Sequence, residues 1–161
     1  MILICYDGSP DAKAAIESCA ALLKGQPATV LTVWEPFVQV VTRAYAGFGT
    51  VAGMVDQEQI DKVTRQDAEQ RAKEGAAHAS EAGLDAEART SEQQTSVVEA
   101  ILREADAIDA SAILMGSRGL TGLKSLFLGS VSSGVIQRAD RPVIVAPSPD
   151  VASARRAERS R

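Results

Sequence analysis

The chain has 161 residues, of which 45% are hydrophobic and 24% charged, and its formal net charge is −4. This length and composition are typical of one globular domain, and the negative charge argues against a basic surface for nucleic acid. No apolar run approaches the roughly 20 residues of a membrane-spanning helix, and the apolar start meets Asp7 too early for a signal peptide. We therefore expect a cytoplasmic protein with neither a membrane nor a nucleic-acid partner.

The first third of the chain alternates strand and helix patterns. Residues 1–6 form a continuous apolar run, which predicts a central strand covered on both faces, and a turn sequence follows it. Apolar residues then recur at helical spacing over residues 11–24, with Ser9 or Asp11 as the N-cap. The β-branched residues at 28–34 predict a second strand.

The middle of the chain is less regular. Residues 37–54 carry scattered apolar side chains and three glycines, and we predict a long loop there that could include a helical turn. A long helix over residues 56–82 and an outer strand over residues 84–90 follow. The predicted inner face of that helix is mostly small: Ile60, Val63, Ala68, Ala72, Ala76 and Ala79.

The last third predicts a helix from Thr95 or Ser96, a strand at 111–115, a glycine-rich loop, a helix at 130–139 and a strand at 143–146. Strands that alternate with helices predict a parallel sheet wrapped on both sides. The fold class expected is thus α/β: a single-domain, Rossmann-like, three-layer α/β/α sandwich with a five-stranded parallel sheet. We expect the domain to cover residues 1–149, and residues 150–161, which include four arginines, to form a basic, frayed and flexible tail.

Three strand ends carry residues suited to a ligand. Asp7 follows the first predicted strand, Val33 lies near the end of the second, and Gly116 follows the fourth. In open α/β sheets, ligands bind beyond the carboxyl ends of the strands. Because parallel strands end at one edge of the sheet, we expect these residues to converge on one site.

The glycine-rich loop supplies features that suit phosphate. Glycine permits a positive φ or a close backbone approach, so successive N–H groups can form an anion-binding nest. The helix that opens at Gly129 and Ser130 offers further free N–H groups, and Ser130 could cap that helix while Ser132 adds a hydroxyl. The spacing in this chain is Gly116-x2-Gly119-x9-Gly129-Ser130.

Two cations and a cluster of apolar residues lie in the same loop. Arg118 and Lys124 could pair with phosphate, although we expect at least one of them to be merely solvated. The apolar residues are expected to anchor the loop to the body, which lowers the ordering cost of binding an anion. They are Leu123, Leu126, Phe127 and Leu128.

Taken together, these stretches resemble the ATP-binding branch of the universal stress protein family. The resemblance covers nearly the whole chain and is carried by ILICYDGSP, VLTVWEP and ASAILMGSRGLTGLKSLFLGSVSSGVIQRADRPVIVAP. It implies a protein that binds ATP, with Mg²⁺ accompanying the nucleotide. It also implies a homodimer that forms through the last strand, Val143 to Ala146.

The resemblance also implies a role for each motif residue. Asp7 would lie near the ribose and base, and the backbone of Val33 would read adenine. The residues implied for the phosphates are Gly116, Gly119, Gly129, Ser130 and, through its backbone amide, Val131. With Arg118 and Ser132, these complete the candidate binding set. One departure is Gly134, which costs roughly 1 kcal/mol relative to alanine inside the predicted helix.

The resemblance implies a nucleotide-binding protein that acts in a stress response, and the sequence lacks the motifs expected of a phosphoryl-transfer enzyme. Phosphoryl transfer needs a positioned nucleophile, metal ligands and cationic stabilisation, and we find no Walker lysine, kinase catalytic loop or paired carboxylates. The alternatives within this class are AMP or cyclic AMP as ligand, and slow ATP hydrolysis or autophosphorylation. Two further hypotheses are an adenylating enzyme, whose SGGxDS or HIGH-like signature is replaced here by DGSP, and a dimeric interaction module that has lost its nucleotide.

Overall fold

The computed structural model describes residues 1–44, 56–119 and 128–160. The strands are β1 (Ile2–Cys5), β2 (Pro27–Trp34), β3 (Asp85–Glu92), β4 (Ala112–Gly116) and β5 (Val143–Ala146). The helices are α1 (Pro10–Leu23), α2 (Phe37–Ala44), α3 (Gln57–Glu81), α4 (Val97–Ala107), α5 (Ser130–Arg138) and α6 (Pro149–Arg159).

The five strands form one parallel sheet in the order β3-β2-β1-β4-β5. The apolar first strand is central, as predicted, and its Leu3 and Ile4 are fully buried on opposite faces. β3 lies at one edge, which confirms the outer strand, and β5 lies at the other. The predicted α/β fold with a five-stranded parallel sheet is therefore confirmed.

Each face of the sheet has its own hydrophobic core. On one face, Ile4 and Val30 belong to a core with residues of α1 and α3. On the other face, Leu3 and Leu31 belong to a core with Ile101 of α4 and residues of α5. Helices thus cover both sides of the sheet, so its carboxyl edge is where a ligand can reach it.

The first part of the loop expected over residues 37–54 forms the eight-residue helix α2, which is longer than the helical turn that the sequence allowed. Its first turn is held by specific hydrogen bonds: Phe37 N–H donates to Asp61 Oδ1 at 2.7 Å, and Gln39 N–H donates to the carbonyl of Pro36 at 3.0 Å. The acceptor from α3 lies 24 residues away, so local sequence could not reveal it. Residues 45–54 of the expected loop lie outside the described part of the chain.

The long helix α3 agrees with the prediction, except that its buried face begins later. Its buried residues are Ala68, Ala72, Gly75, Ala76 and Ala79. Val63, expected on this face, is 47% exposed. The small stripe allows a close approach to the sheet, because a Cβ on Gly75 would stand 2.7 Å from the ring of Tyr6. Neither α3 nor another helix within the described ranges is long and apolar enough to cross a membrane.

The tail that we expected to be frayed is helical from Pro149 to Arg159. Pro149 lies in the first turn, where its fixed φ suits a helix and its missing N–H has no cost. Val151 is 3% exposed and anchors this end of the helix. The tail is thus helical, and most of its residues after Val151 are exposed to solvent.

Candidate functional site

A cavity of about 280 Å³ lies at the carboxyl ends of β1, β2 and β4. It is lined by all nine residues that the sequence analysis selected: Asp7, Val33, Gly116, Arg118, Gly119, Gly129, Ser130, Val131 and Ser132. They come from four separate parts of the chain and meet because β1 lies between β2 and β4. We call this the nucleotide cavity, after the ligand that the sequence analysis predicts for these residues.

One end of the nucleotide cavity is apolar. It is lined by Leu31, Val33, Val97, Ile101 and Met115. Such a wall suits a flat ring or another weakly polar group, because most of a bound ligand's surface must leave water. Cys5 also lines the cavity; burial, with a smaller contribution from Asp7, raises the pKa of its thiol to about 12. The thiol is therefore protonated at neutral pH and is a poor nucleophile.

The other end is formed by the start of α5. The first helical bond joins Ser133 N–H to the carbonyl of Gly129 at 2.9 Å. The N–H groups of residues 130–132 precede it and have no acceptor within the helix, so they suit an anion. The N-cap is Gly129, which has no side chain to offer, so the expectation that Ser130 caps the helix is wrong.

The Ser132 hydroxyl, a candidate contact for phosphate, is hydrogen-bonded within the protein. It donates to the carbonyls of Ser117 at 3.1 Å and Gly129 at 3.0 Å, and the residue is 2% exposed. Gly129 N–H also donates to the Ser117 carbonyl, at 2.8 Å. These bonds fix the start of α5 to the end of β4, which leaves the backbone N–H of Ser132 as its contribution to a ligand.

A buried polar network that the sequence analysis missed supports the same region, where β4 ends and α5 starts. Ser117 is fully buried, and its hydroxyl donates to Asp11 Oδ2 at 3.0 Å. Arg118 lines the cavity, but its guanidinium contacts Asp11 at 3.4 Å and the Ser148 hydroxyl at 3.4 Å. Arg118 therefore links α1 to the start of α6. The position of Asp11 in the first turn of α1 suggested only a cap, and Ser9 takes that role by accepting from Ala12 N–H at 3.2 Å.

Asp11 is held in its charged form. Burial alone would raise the pKa of its carboxyl, but hydrogen bonds from Arg118, Ser148 and Ser117 outweigh burial and lower that pKa below its usual range. A deprotonated Asp11 can accept from both Ser117 and Arg118 at neutral pH. The network thereby neutralises part of the charge that Arg118 would otherwise direct at a phosphate.

The three motif glycines differ in why they are glycine. None has a positive φ; the described glycines that do are Gly8, Gly25 and Gly83. A Cβ on Gly116 would stand 2.8 Å from the backbone carbon of Asp11, and one on Gly119 would stand 2.7 Å from Asp7 Oδ2. A Cβ on Gly129 would meet nothing nearer than 3.5 Å, which is ordinary contact. Close approach, one of the two reasons expected from the sequence, thus applies to the first two glycines.

Asp7 lies beside Gly119 at the edge of the cavity. Its Oδ1 accepts a hydrogen bond from Ser9 N–H at 2.9 Å, which closes the turn between β1 and α1. Its other carboxylate oxygen faces Gly119, whose lack of a side chain leaves room for it. The residue therefore both forms the turn and lines the cavity.

Gly134, the departure noted in the sequence, has a packing reason. It lies within α5, and a Cβ there would stand 2.8 Å from Cγ2 of Val98 on α4. The glycine lets the two helices approach beside the cavity, which offsets its lower helix propensity.

The glycine-rich loop lies partly outside the described residues. Lys124 and three of the expected anchors, Leu123, Leu126 and Phe127, lie outside the described residues. The fourth, Leu128, is 39% exposed, so it does not act as a buried anchor. Within the described ranges, no group of three or more His, Cys, Asp and Glu side chains could hold a metal ion.

Comparison with known proteins bears on both the family and the fold. The sequence model of the Universal stress protein family matches residues 1–147. Universal stress protein YxiE of Bacillus subtilis is 33% identical over 148 residues, which cover 89% of this chain and 96% of that protein.

Solved structures with the same fold include MJ0577 of Methanocaldococcus jannaschii, with a TM-score of 0.70 and 22% identity over 91% of this chain and 94% of that one. The universal stress protein of Archaeoglobus fulgidus, solved with dAMP, has a TM-score of 0.58 and 23% identity over 90% and 95%. A universal stress protein solved with cAMP has a TM-score of 0.59 and 21% identity over 91% of this chain and 96% of that one. A family member from Arabidopsis thaliana solved with AMP has a TM-score of 0.61 and 14% identity over 94% of this chain and 97% of that one. With a family match over most of its length and a relative at 33% identity, this chain belongs to the universal stress protein family.

Proposed function

We propose that this protein binds ATP in the nucleotide cavity, with Mg²⁺ accompanying the phosphates, and that the bound nucleotide acts as a signal in a stress response. The observation that carries the proposal is the meeting of all nine selected residues in one cavity, with an apolar end and an end of backbone N–H groups. An adenine ring suits the first end, and a chain of phosphates suits the second. Relatives solved with dAMP, cAMP and AMP support an adenine nucleotide.

The size of the cavity bears on the number of phosphates. At about 280 Å³, the cavity lies near the lower end of ordinary ligand pockets, which begin at roughly 300 Å³. AMP and cyclic AMP are therefore the alternative ligands. The cavity extends to both the start of α5 and Gly119. Because motif glycines stand at both places, we favour a chain of phosphates, and hence ATP.

A regulatory role is proposed ahead of catalysis because several described side chains that line or border the cavity are already engaged or protonated. The hydroxyls of Ser117 and Ser132 donate to protein acceptors, and the Cys5 thiol is protonated. Asp7 Oδ1 accepts from a backbone N–H. Slow ATP hydrolysis or autophosphorylation stays the alternative, and the cytoplasmic location stays a prediction from the sequence.

The binding proposal is tested by calorimetry with ATP, AMP and cyclic AMP, each with and without Mg²⁺, on wild type and two variants at Gly129. Gly129→Asp places a carboxylate where the phosphates would lie and should abolish ATP binding. Gly129→Asn has nearly the same shape without the charge and should retain part of the affinity. Both residues are good N-caps, so both proteins should fold.

Mass spectrometry of ligand released from freshly purified protein gives an independent readout. Wild type that ignores all three nucleotides would contradict the proposal and favour the interaction module. Preference for AMP or cyclic AMP over ATP would correct only the ligand.

We also propose that the protein forms a homodimer through β5. Ile113 N–H donates to the Pro142 carbonyl and Ser117 N–H to the Ala146 carbonyl, so by alternation the backbone groups of Val143 and Val145 point away from β4. An apolar edge strand of this kind favours pairing with another chain.

Val145→Pro removes one outward N–H without touching the bonds to β4, and it should yield a monomer by light scattering. Val145→Thr retains both the N–H and the β-branched shape, and it should stay dimeric. A wild-type protein that is monomeric would contradict the proposal.

A further inference from the structure

A second cavity, of about 770 Å³, opens beside the nucleotide cavity. We call it the side groove. It lies between α2, the connection from β3 to α4, and the start of α5. Its walls include Val38 and Thr42 from α2, Gln94 and Thr95 from the connection, and Val98 from α4.

The side groove and the nucleotide cavity share a wall. Val97, Ser130 and Val131 line both spaces. Two of these residues belong to the first turn of α5, whose N–H groups form the anion-binding end of the nucleotide cavity. A phosphate held at this helix start would therefore lie at the junction of the two spaces.

The walls of the side groove are held in place by side-chain bonds. The Gln39 amide donates to the carbonyl of Gln93 at 2.6 Å and to that of Gln94 at 3.1 Å, which fixes α2 to the connection. The Gln93 amide in turn donates to Glu35 at 3.1 Å, and Gln93 is 8% exposed. Two walls of this open groove, α2 and the connection, are thus bonded to each other.

The chemistry of the walls indicates what could occupy the groove. The described residues that line it include no Asp, Glu, Lys or Arg; they are valine, threonine, serine and glutamine. Amide and hydroxyl groups beside valine suit a neutral polar ring system or a sugar, and they offer no counter-charge to an ion. The groove is also larger than the nucleotide cavity, so a nucleoside is not too large for it.

We propose that the side groove binds a second nucleoside joined through phosphates to the nucleotide in the first cavity, so that the ligand class extends to dinucleoside polyphosphates. The first nucleoside occupies the nucleotide cavity, the phosphates lie at the start of α5, and the second nucleoside lies between α2 and α4. This inference rests on the proposed nucleotide site.

The test is calorimetric titration of the full chain with ATP and with diadenosine tetraphosphate, whose charge is similar to that of ATP, so that the second nucleoside is the main difference. The tetraphosphate should bind wild type at least about tenfold more tightly than ATP. Val38→Trp fills the groove and should remove this advantage while leaving ATP affinity unchanged. Val40→Trp is the matched control: Val40 lies on the same helix and is 44% exposed, but it does not line the groove.

The outcomes separate the two proposals. If ATP binds but the tetraphosphate binds no more tightly, or if Val38→Trp leaves its advantage intact, the side groove is not a nucleoside site and only this inference is overturned. If neither compound binds wild type, the nucleotide site itself is wrong and both proposals fail. Should Val38→Trp not fold, Thr95→Trp blocks the groove from the opposite wall and decides the question in the same way.

Discussion

At the exit of β4, a Cβ on Gly116 would stand 2.8 Å from the backbone of Asp11, whereas at the entry to α5 a Cβ on Gly129 would meet nothing nearer than 3.5 Å. The first glycine is required by the packing of α1 against the sheet. The second has a φ of −64°, which other residues adopt readily, and its neighbours leave room for a side chain. Packing therefore requires the first glycine and does not require the second.

Helix capping sharpens the same contrast. The N-caps of α1, α3 and α4 are Ser9, Asp56 and Ser96, and each of these side chains accepts from a backbone N–H in the first turn. The N-cap of α5 is Gly129, which has no side chain to make such a bond, and Ser148, the N-cap of α6, makes none either. Among the helix starts in the described ranges, the start of α5 both lacks a side-chain cap and lines the nucleotide cavity. The missing cap keeps those N–H groups available.

The largest effect is expected at the exit of β4. Gly116→Ala forces a Cβ against the backbone of α1, which cannot rotate away as a side chain could. We expect the free energy of unfolding to fall by about 2–3 kcal/mol, measured by chemical denaturation. If this variant is as stable as wild type, α1 can shift to make room for the Cβ. The contrast between Gly116 and Gly129 would then be smaller than their Cβ distances suggest.

A second test at this corner uses pH. Asp11→Asn weakens the bonds from Ser117 and Arg118 and should lower the free energy of unfolding by about 1.5–3 kcal/mol at pH 7. Because the folded pKa of Asp11 is depressed, its contribution is present above its usual value of 3.8 and is lost as the pH falls through the folded pKa. The difference between wild type and variant should therefore shrink below about pH 4. A difference that stays constant down to acid unfolding would mean that Asp11 contributes through packing alone.

The smallest effect on stability is expected at the entry to α5. Gly129→Ser supplies the missing cap, so the free energy of unfolding should stay unchanged or rise by up to about 1 kcal/mol. The new hydroxyl would accept from a first-turn N–H that the phosphates need, so ATP affinity should fall about tenfold. Denaturation and calorimetry on the same sample measure both. A variant that is less stable but binds normally would reverse the roles assigned to the two glycines.

Much of the architecture could be predicted from the sequence because it depends on neighbouring residues. The apolar run before Asp7, the cap at Ser9 and the cap at Ser96 all lie where the local pattern placed them. The nine candidate residues also line one cavity, since parallel strands end at one edge of the sheet. Local patterns failed at α2, whose start is held by Asp61 of a distant helix, and at α6, which is anchored by the burial of Val151.

The sequence by itself determined the order of strands and helices, the family and the positions of the glycines, because periodicity, turn chemistry and motif spacing are properties of a continuous stretch of chain. Only the tertiary structure decided how those residues are used. In the structure Arg118 pairs with Asp11, and the Ser132 hydroxyl donates to the carbonyl of Ser117, just after β4. The structure also shows that packing requires Gly116 to be a glycine but does not require this of Gly129. Each of these depends on distances between segments far apart in sequence, which are fixed only when the sheet and its helices are assembled.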